Sequence, residues 1–349
     1  MHRILIIRID FLGDMICSTS LIHSLKQRWP QAEIHVLANK YNAPALDGNP
    51  DVHAVHRYVY SKKFEKNCRP GRLNAFIDRI KLIHKLRRLN FDLLIIPNGG
   101  LNKSSVQFAK FLNVGDCRWH TQESGFDDRV ESHINQRVMK HEVLSGYELV
   151  PELGPMDINA LRLYVYPDKS LQDKWIEILG VKKNPRIGLF VSNKSTARRW
   201  SWDKWHRLSL KYGATVDFVI FHTPGDRPTD AQLEGINARC VSTDTVADLM
   251  AAMSQLDVIV SADSAPVHIG AALQIPVIAL FESRPEKYLR WYPLGVKHIL
   301  IHEGARVEDI HVESVQGAID LLLKDMHYSI CLDEAGHMAQ DKLPLSLFC

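Results

Sequence analysis

Short, continuously apolar runs recur along this chain, each followed by a polar turn and then by apolar residues at helical spacing. Arg3–Ile9 (RILIIRI) is the first, a β-branched run of the kind expected for a strand covered on both faces. Asp10–Asp14 (DFLGD) supplies the turn, with Gly13 giving backbone freedom. Met15–Trp29 is predicted as a helix through Ile16, Leu21, Ile22, Leu25 and Trp29, closed by Pro30. Glu33–Leu37, Val52–Val59 and Phe91–Ile96 are the next strands, and Leu161–Tyr166 reads as a last strand or the entry to a linker. Pro167, Gly180 and Pro185 punctuate residues 165–184 around one helix, Leu171–Leu179, and a boundary belongs there. The pattern then starts again. Strands Arg186–Val191, Val216–Phe221 and Cys240–Val241 follow, with a helix from the His222–Asp226 turn to Ala238 and another at Val246–Met253. A βαβ unit closes it: strand Asp257–Val260, helix Val267–Leu273, strand Ile275–Phe281.

Alternating strands and helices in both halves predict two Rossmann-like, doubly wound α/β domains, residues 1–168 and 169–325. A tail, residues 326–349, is expected to return to the N-terminal domain. No GxGxxG follows the first strand, which argues against a dinucleotide-binding half. The turns Asp10–Asp14, Ser192–Arg199, His222–Asp226 and Ser261–Ser264 all follow strands, so all four are expected to line a cleft at the strands' C-terminal ends.

Composition narrows the classes. A chain of 349 residues is long for one core, and 46% apolar with 24% charged residues is a globular balance. A net charge of +3 speaks against a general nucleic-acid binder. Cysteines 17, 68, 117, 240, 331 and 349 show no CxxC or Cys/His metal spacing and read as reduced thiols. His120, His133 and His141, in the polar stretch Asn113–Asp157, show no ligand spacing either. No apolar run approaches the roughly twenty residues of a membrane span, and the chain enters a strand without a signal peptide. A soluble cytoplasmic protein is expected.

Residues 61–90 change character, with ten Lys and Arg against Glu65 and Asp78. Phe76, Ile77, Ile80, Ile83 and Leu86 recur at helical spacing, so Leu73–Leu89 reads as an amphipathic helix with a cationic face. Two readings stand: a solvated face, or a surface for anionic lipid head groups or a phosphorylated substrate. The preceding loop, with Lys62, Lys63, Lys66 and Arg69, is the better placed to close on a ligand.

The Ser261–Ser264 turn carries candidate chemistry. Asp263 and Ser264 are good capping residues, and Pro266 is tolerated in a first helical turn. The amides that follow, with the positive end of the helix dipole, make an anion site, and His268 lies one turn in as a further donor to a phosphate. By itself this turn reads first as an ordinary capped helix with a surface histidine, since every βαβ crossover needs a cap and few bind phosphate.

Three stretches together resemble glycosyltransferase family 9, the lipopolysaccharide heptosyltransferases. They are ILIIRIDFLGDMICSTSLIHSLKQRWPQAEIHVL followed by NPDVHAV, the segment ARRWSWDKW, and SADSAPVHIGAALQIPVIALF. Ser264-Ala265 stands where the family carries Thr-Gly, and Glu282-Ser283 where it usually has a glycine. The resemblance implies the two-domain GT-B fold, with the acceptor on the N-terminal half and a nucleotide-sugar on the C-terminal half. It implies inverting, metal-independent transfer of heptose from ADP-heptose, with no cofactor, to a lipid-linked core oligosaccharide at the cytoplasmic face of the inner membrane. Asp14 is then the base and Arg198 the cation on the diphosphate, with Lys194 and Arg199 as neighbours. Asp263, Ser264, Ala265 and His268 take the phosphates, Asp226 or Asp230 the ribose, and Val241–Thr245 the base of the nucleotide. Lys62, Lys63, Lys66 and Arg69 face the acceptor. Two other readings are a silent, heptosyltransferase-like binding protein and a GT-B enzyme using another nucleotide-sugar.

Overall fold

The computed structural model describes residues 1–121, 132, 139–213 and 215–334. Two parallel sheets organise the chain. In the first, β1 (Arg3–Arg8), β2 (Glu33–Ala38), β3 (Ala54–Arg57), β4 (Leu93–Ile96) and β5 (Asp116–Trp119) lie in the order β3-β2-β1-β4-β5. Helices α1 (Leu12–Arg28), α2 (Arg72–Arg87), α3 (Lys103–Leu112) and α4 (Glu142–Tyr147) accompany it. The second half opens with α5 (Lys169–Leu179). Its strands are β6 (Arg186–Phe190), β7 (Asp217–Phe221), β8 (Ala238–Val241), β9 (Val258–Ala262), β10 (Val277–Leu280) and β11 (His298–Ile301), in the order β11-β10-β9-β6-β7-β8. Between and after them run α6 (Trp202–Tyr212), α7 (Val246–Met253), α8 (Ala265–Ala272), α9 (Pro285–Trp291) and α10 (Val312–Glu334). Two doubly wound α/β halves of this kind are the GT-B fold.

The central strands are apolar throughout because helices cover both faces: Ile4, Leu5, Ile6 and Ile7 of β1 are all fully buried, as are all four residues of β4. Side chains alternate between faces, so Ile4 and Ile6 join one core while Leu5 and Ile7 join another. The first of these cores runs on into the C-terminal half through Met253, Ile259 and Val267. Helix α1 sits between the halves, packed against both α4 and α8, and Met15 through Ile22 are buried all round. That close approach needs a glycine: a Cβ on Gly13 would stand 2.6 Å from Cδ2 of His268 on α8.

Several expectations are corrected. Helix α1 begins at Leu12, so Asp14 lies inside its first turn, and the extended residue before the helix is Phe11. Residues 161–166 form no strand, though Leu161, Leu163 and Val165 are buried in the core. No α-helix follows the His222–Asp226 turn. Two short 3-10 turns, Pro224–Asp226 and Asp230–Leu233, stand there in a stretch broken by Pro224, Gly225, Pro228 and Gly235. Half of the apolar residues of α2 face solvent, Leu73 at 71%, Phe76 at 65% and Ile80 at 51% with Ile77, while Leu82 and Ile83 pack on the core and Ala75 and Leu86 are buried. Of the tail, residues 326–334 continue α10, which packs on α6, β10 and β11; its remainder, residues 335–349, and His133 lie outside the described residues.

Overpacking a contact of this kind costs about 1–3 kcal/mol. Gly13→Ala should therefore lower stability by that amount in denaturant melts, and the cost should shrink when His268→Ala is already present. A cost unchanged in the double variant would mean that the two helices do not meet through this pair.

Candidate active site

Both sheets reverse their winding beside their first strand, and in such sheets the crevice for ligands opens where the order reverses. In the N-terminal half this point lies between β1 and β4. The loops after the two strands meet there, with Asn98 Nδ2 donating to Asp10 Oδ2 at 2.5 Å. In the C-terminal half it lies between β6 and β9, and there Asn193 and Arg198 reach the backbone carbonyl of Asp263 at 3.3 and 3.2 Å.

The N-terminal site is built on Arg8, the last residue of β1, whose side chain is only 2% exposed. A buried guanidinium must be paired, and three carboxylates surround it. Its Nε donates to Asp10 at 2.9 Å, and its Nη2 to Asp14 at 2.6 Å and Glu142 at 3.0 Å. Glu142, at the start of α4, also accepts from the Gly99 amide and, at 3.0 and 2.8 Å, from Arg290 of α9. Arg290 belongs to the other half, so this carboxylate bridges the two. His141 makes a second bridge, its Nε2 lying 2.9 Å from the Tyr292 carbonyl.

This arrangement pushes the carboxyls apart. Burial would raise all three, but for Glu142 the two arginines and the Gly99 amide outweigh it and hold the group down at about 2. Asp14 is raised to about 7, first by burial and then by the charge of Asp10, with Arg8 pulling the other way. Burial likewise raises Asp10 against the pull of Arg8. Despite its burial, Arg8 stays firmly charged between its three partners. Asp14 and Asp10 keep 15% and 16% of their side chains exposed, so each can meet a ligand. A carboxyl tuned near neutrality, partly open to a crevice, is suited to proton transfer.

In the C-terminal half, α8 starts without a side-chain cap: the Ser264 hydroxyl turns back to the Ala262 carbonyl at 2.9 Å. The helix end is left for an anion. Arg198 stands over the same turn, 3.2 Å from an Asp263 carboxylate oxygen. Because α8 packs on α1, the two helix N-termini lie side by side, one carrying Asp14 and the other the Ser264-Ala265 turn.

A family model described as glycosyltransferase family 9 (heptosyltransferase) matches residues 79–316. The chain belongs to glycosyltransferase family 9. The matched residues include Glu142, Arg198, Asp263, His268 and Arg290 and stop short of Arg8 and Asp14. Over 303 residues, 81% of this chain and 84% of the relative, it is 25% identical to lipopolysaccharide heptosyltransferase 3 of Escherichia coli. Its fold is similar to that of a family 9 glycosyl transferase from Veillonella parvula (TM-score 0.75, 16% identity, 93% and 98% of the two chains covered). It is also similar to E. coli ADP-heptose lps heptosyltransferase II (TM-score 0.68, 21% identity, 94% and 100% covered).

For this glycosyltransferase the structure brings some of the sequence-derived residues to the two switch points. Asp14 joins the Arg8 set, and Arg198, Asp263, Ser264 and Ala265 form one turn region. Arg199 reaches Asp226 at 3.1 Å, and Thr223 donates to the same carboxylate at 2.9 Å. Lys194 and Asp230 are exposed, as is most of Val241–Thr245. His268 is not at the surface. It is 4% exposed, turned onto α1 with Nδ1 3.6 Å from the Cys17 sulfur, and burial holds it neutral with its pKa down at about 3. Lys62, Lys63, Lys66 and Arg69 are exposed, but Arg69 is paired to Asp78 through two hydrogen bonds, at 3.0 and 2.6 Å.

Sequence reasoning missed Arg8, Glu142, Asn98, Asn193 and Arg290. Arg8 left a signal, since an arginine inside a run otherwise fit for burial demands anionic partners. Glu142 left none, because it sits in a polar stretch without periodicity.

Removing the Glu142 charge takes a negative neighbour from Asp14 and frees Arg8 to pair with it more closely. Glu142→Gln should move the Asp14 carboxyl titration, followed by carboxyl-carbon NMR, downward from about 7. A midpoint that stays or rises would show that Asp14 does not feel this set.

Proposed function

We propose that this glycosyltransferase moves a heptose from ADP-heptose to a hydroxyl of the lipopolysaccharide inner core, with inversion and without a metal. The observation that carries the reading is the Asp14 carboxyl, tuned to about 7 beside the uncapped end of α8. Asp14 takes the acceptor hydroxyl proton as the oxygen attacks the anomeric carbon from the face opposite the diphosphate. The bond from that carbon to the diphosphate oxygen breaks, so configuration inverts. ADP leaves with its new charge held by Arg198, the Ala265 amide and the dipole of α8, with Lys194 a neighbouring cation on the same loop. These groups take the place of a metal in stabilising the leaving diphosphate.

His268 is assigned a packing role for the donor helix in place of a phosphate contact, because its buried imidazole faces α1. Asp226, oriented by Arg199 and Thr223, is the ribose contact, and Val241–Thr245 borders the nucleotide base. The choice of ADP-heptose and of a lipopolysaccharide acceptor follows the relatives named for them. A silent binding protein is disfavoured because binding alone gives no reason for a carboxyl poised near neutrality.

The acceptor is assigned to the N-terminal half. There a cavity of about 460 Å³ is lined by Lys62, Phe64, Arg72, Phe76 and Arg79, among others. It lies in the cationic segment beside exposed Leu73, Phe76 and Ile80. Apolar residues rimmed by cations match an anionic membrane surface, to which each Lys or Arg adds on the order of 1 kcal/mol. Among the described residues no helix is long and apolar enough to cross a membrane, so the association proposed is peripheral, at the cytoplasmic face of the inner membrane.

Asp14→Ala should transfer heptose about 100- to 10,000-fold more slowly while binding ADP-heptose normally. Wild-type kcat/KM should fall as pH drops below about 7, where the base becomes protonated, and should survive excess EDTA. Near-normal turnover by the variant would move the base to Asp10, and loss in EDTA restored by magnesium would refute the metal-free mechanism.

Neutralising Lys62, Lys63, Lys66 and Arg69 together to Gln should raise the acceptor KM and weaken binding to anionic vesicles, more so at low salt. Donor affinity should not change. A fall in donor affinity alone would mean that the two halves are assigned the wrong way round.

A further inference from the structure

At the opposite end of the first sheet, where its strands begin, three metal-ligating side chains converge. Glu33 opens β2, His35 follows two residues later on the same face, and His53 lies just before β3. A carboxylate oxygen of Glu33 and one ring nitrogen from each histidine all lie within 4.8 Å of one another. His35 Nε2 is 3.7 Å from Glu33 Oε2, and His53 Nε2 is 4.0 Å from Oε1. Zinc held at 2.0–2.2 Å by such ligands separates them by about 3.4 Å. Closing from as much as 4.8 Å takes up to about 1.4 Å of side-chain movement, shared between half-buried Glu33 and exposed His53.

The buried member points to a ligand. His35 is 3% exposed, yet its Nε2 has no hydrogen-bond partner. A buried polar nitrogen without a partner is costly. Its other nitrogen, Nδ1, lies 3.0 Å from Nε2 of His56, a neighbour buried on β3. When Nδ1 donates to His56, the Nε2 lone pair is directed at the cluster, the tautomer a metal ligand needs. Arg3 holds Oε2 of Glu33, the oxygen 3.7 Å from His35, through its Nε at 2.6 Å, orienting the carboxylate and leaving Oε1 towards His53. Beside Glu33 a polar cavity of about 410 Å³, lined by His2, Arg3, Gln31, Asn90 and Asp92, opens to solvent and gives a hydrated ion a way in.

We propose that Glu33, His35 and His53 bind a divalent transition-metal ion of the zinc class, with water in the remaining position. Two imidazoles and a carboxylate suit such an ion better than magnesium or calcium, which take oxygen ligands. The ion clips the start of β2 to the segment leading into β3, the edge strand. It is a structural site. Six residues of β1 separate this end of the sheet from the Asp10 turn, about 20 Å along the strand. The proposal does not rest on the proposed reaction.

The test uses the full chain with any affinity tag removed, stripped with EDTA and exchanged into chelator-free buffer. Calorimetric titration with ZnCl2 alone should show one equivalent bound in the micromolar range or tighter. His53→Ala, at an exposed position, and Glu33→Gln, a near-isosteric change at a half-buried one, are both expected to fold and should each weaken it at least about tenfold. Zinc should raise the melting temperature of the wild type and leave that of both variants unchanged. CoCl2 should give visible d–d bands in the wild type that the variants lack. No zinc uptake, or uptake equally tight in the variants, overturns the site. Heptose transfer lost in EDTA but intact in His53→Ala would fault the metal-free mechanism and leave this site standing.

Discussion

A single buried guanidinium organises the candidate site. Removing a charge from water costs several kcal/mol, so Arg8 at the end of β1 is tolerable only with anions around it. Asp10 and Asp14 supply them from the turn that follows β1, and Glu142 from a distant part of the chain. Counting Arg290, the set holds two cations and three carboxylates, an excess of one negative charge in a poorly solvated place. Such a set favours keeping one proton. Glu142, gripped by both arginines, gives its proton up readily, and Asp14 and Asp10 are the groups on which the proton is retained. The raised Asp14 titration thus follows from burial first and from this excess of negative charge second.

The same set ties chemistry to the meeting of the two halves. Glu142 is shared between Arg8 on one side of the cleft and Arg290 on the other. Gly13 and His268 bring α1 and α8 into contact, which sets the Asp14 turn beside the Ser264 turn. An arrangement in which the halves moved apart would unpair Glu142 and separate the helix ends together. The Asp14 turn and the Ser264 turn are therefore brought together by one interface.

Much of the fold was legible because β-rich apolar runs and helical spacing are local properties. The strands β1, β2, β4, β6, β7, β9 and β10 stand within a few residues of where periodicity put them, and the parallel, doubly wound arrangement follows from their alternation with helices. The misreadings share a cause. Leu161, Leu163 and Val165 have a strand's composition but pair with no strand, and pack into the core as coil. The apolar stripe of α2 is wider than the surface it covers, and spacing alone does not say which apolar residues find a partner.

For the candidate site the division is sharper. The chain by itself determined the fold class, the turns that follow the strands, and Asp14, Arg198 and the Ser264 turn as residues worth attention, because these sit at strand ends whose place follows from connectivity. Only the tertiary structure decided that Asp14 is held by Arg8, that Glu142 and Arg290 close the set, and that His268 packs between halves. It also brought Glu33, His35 and His53 together across two strands. The reason is distance along the chain: Glu142 lies 134 residues from Arg8 and 148 from Arg290, beyond any periodicity. A carboxyl's protonation depends on burial and on charges within a few ångströms, and neither exists until the two sheets are in place.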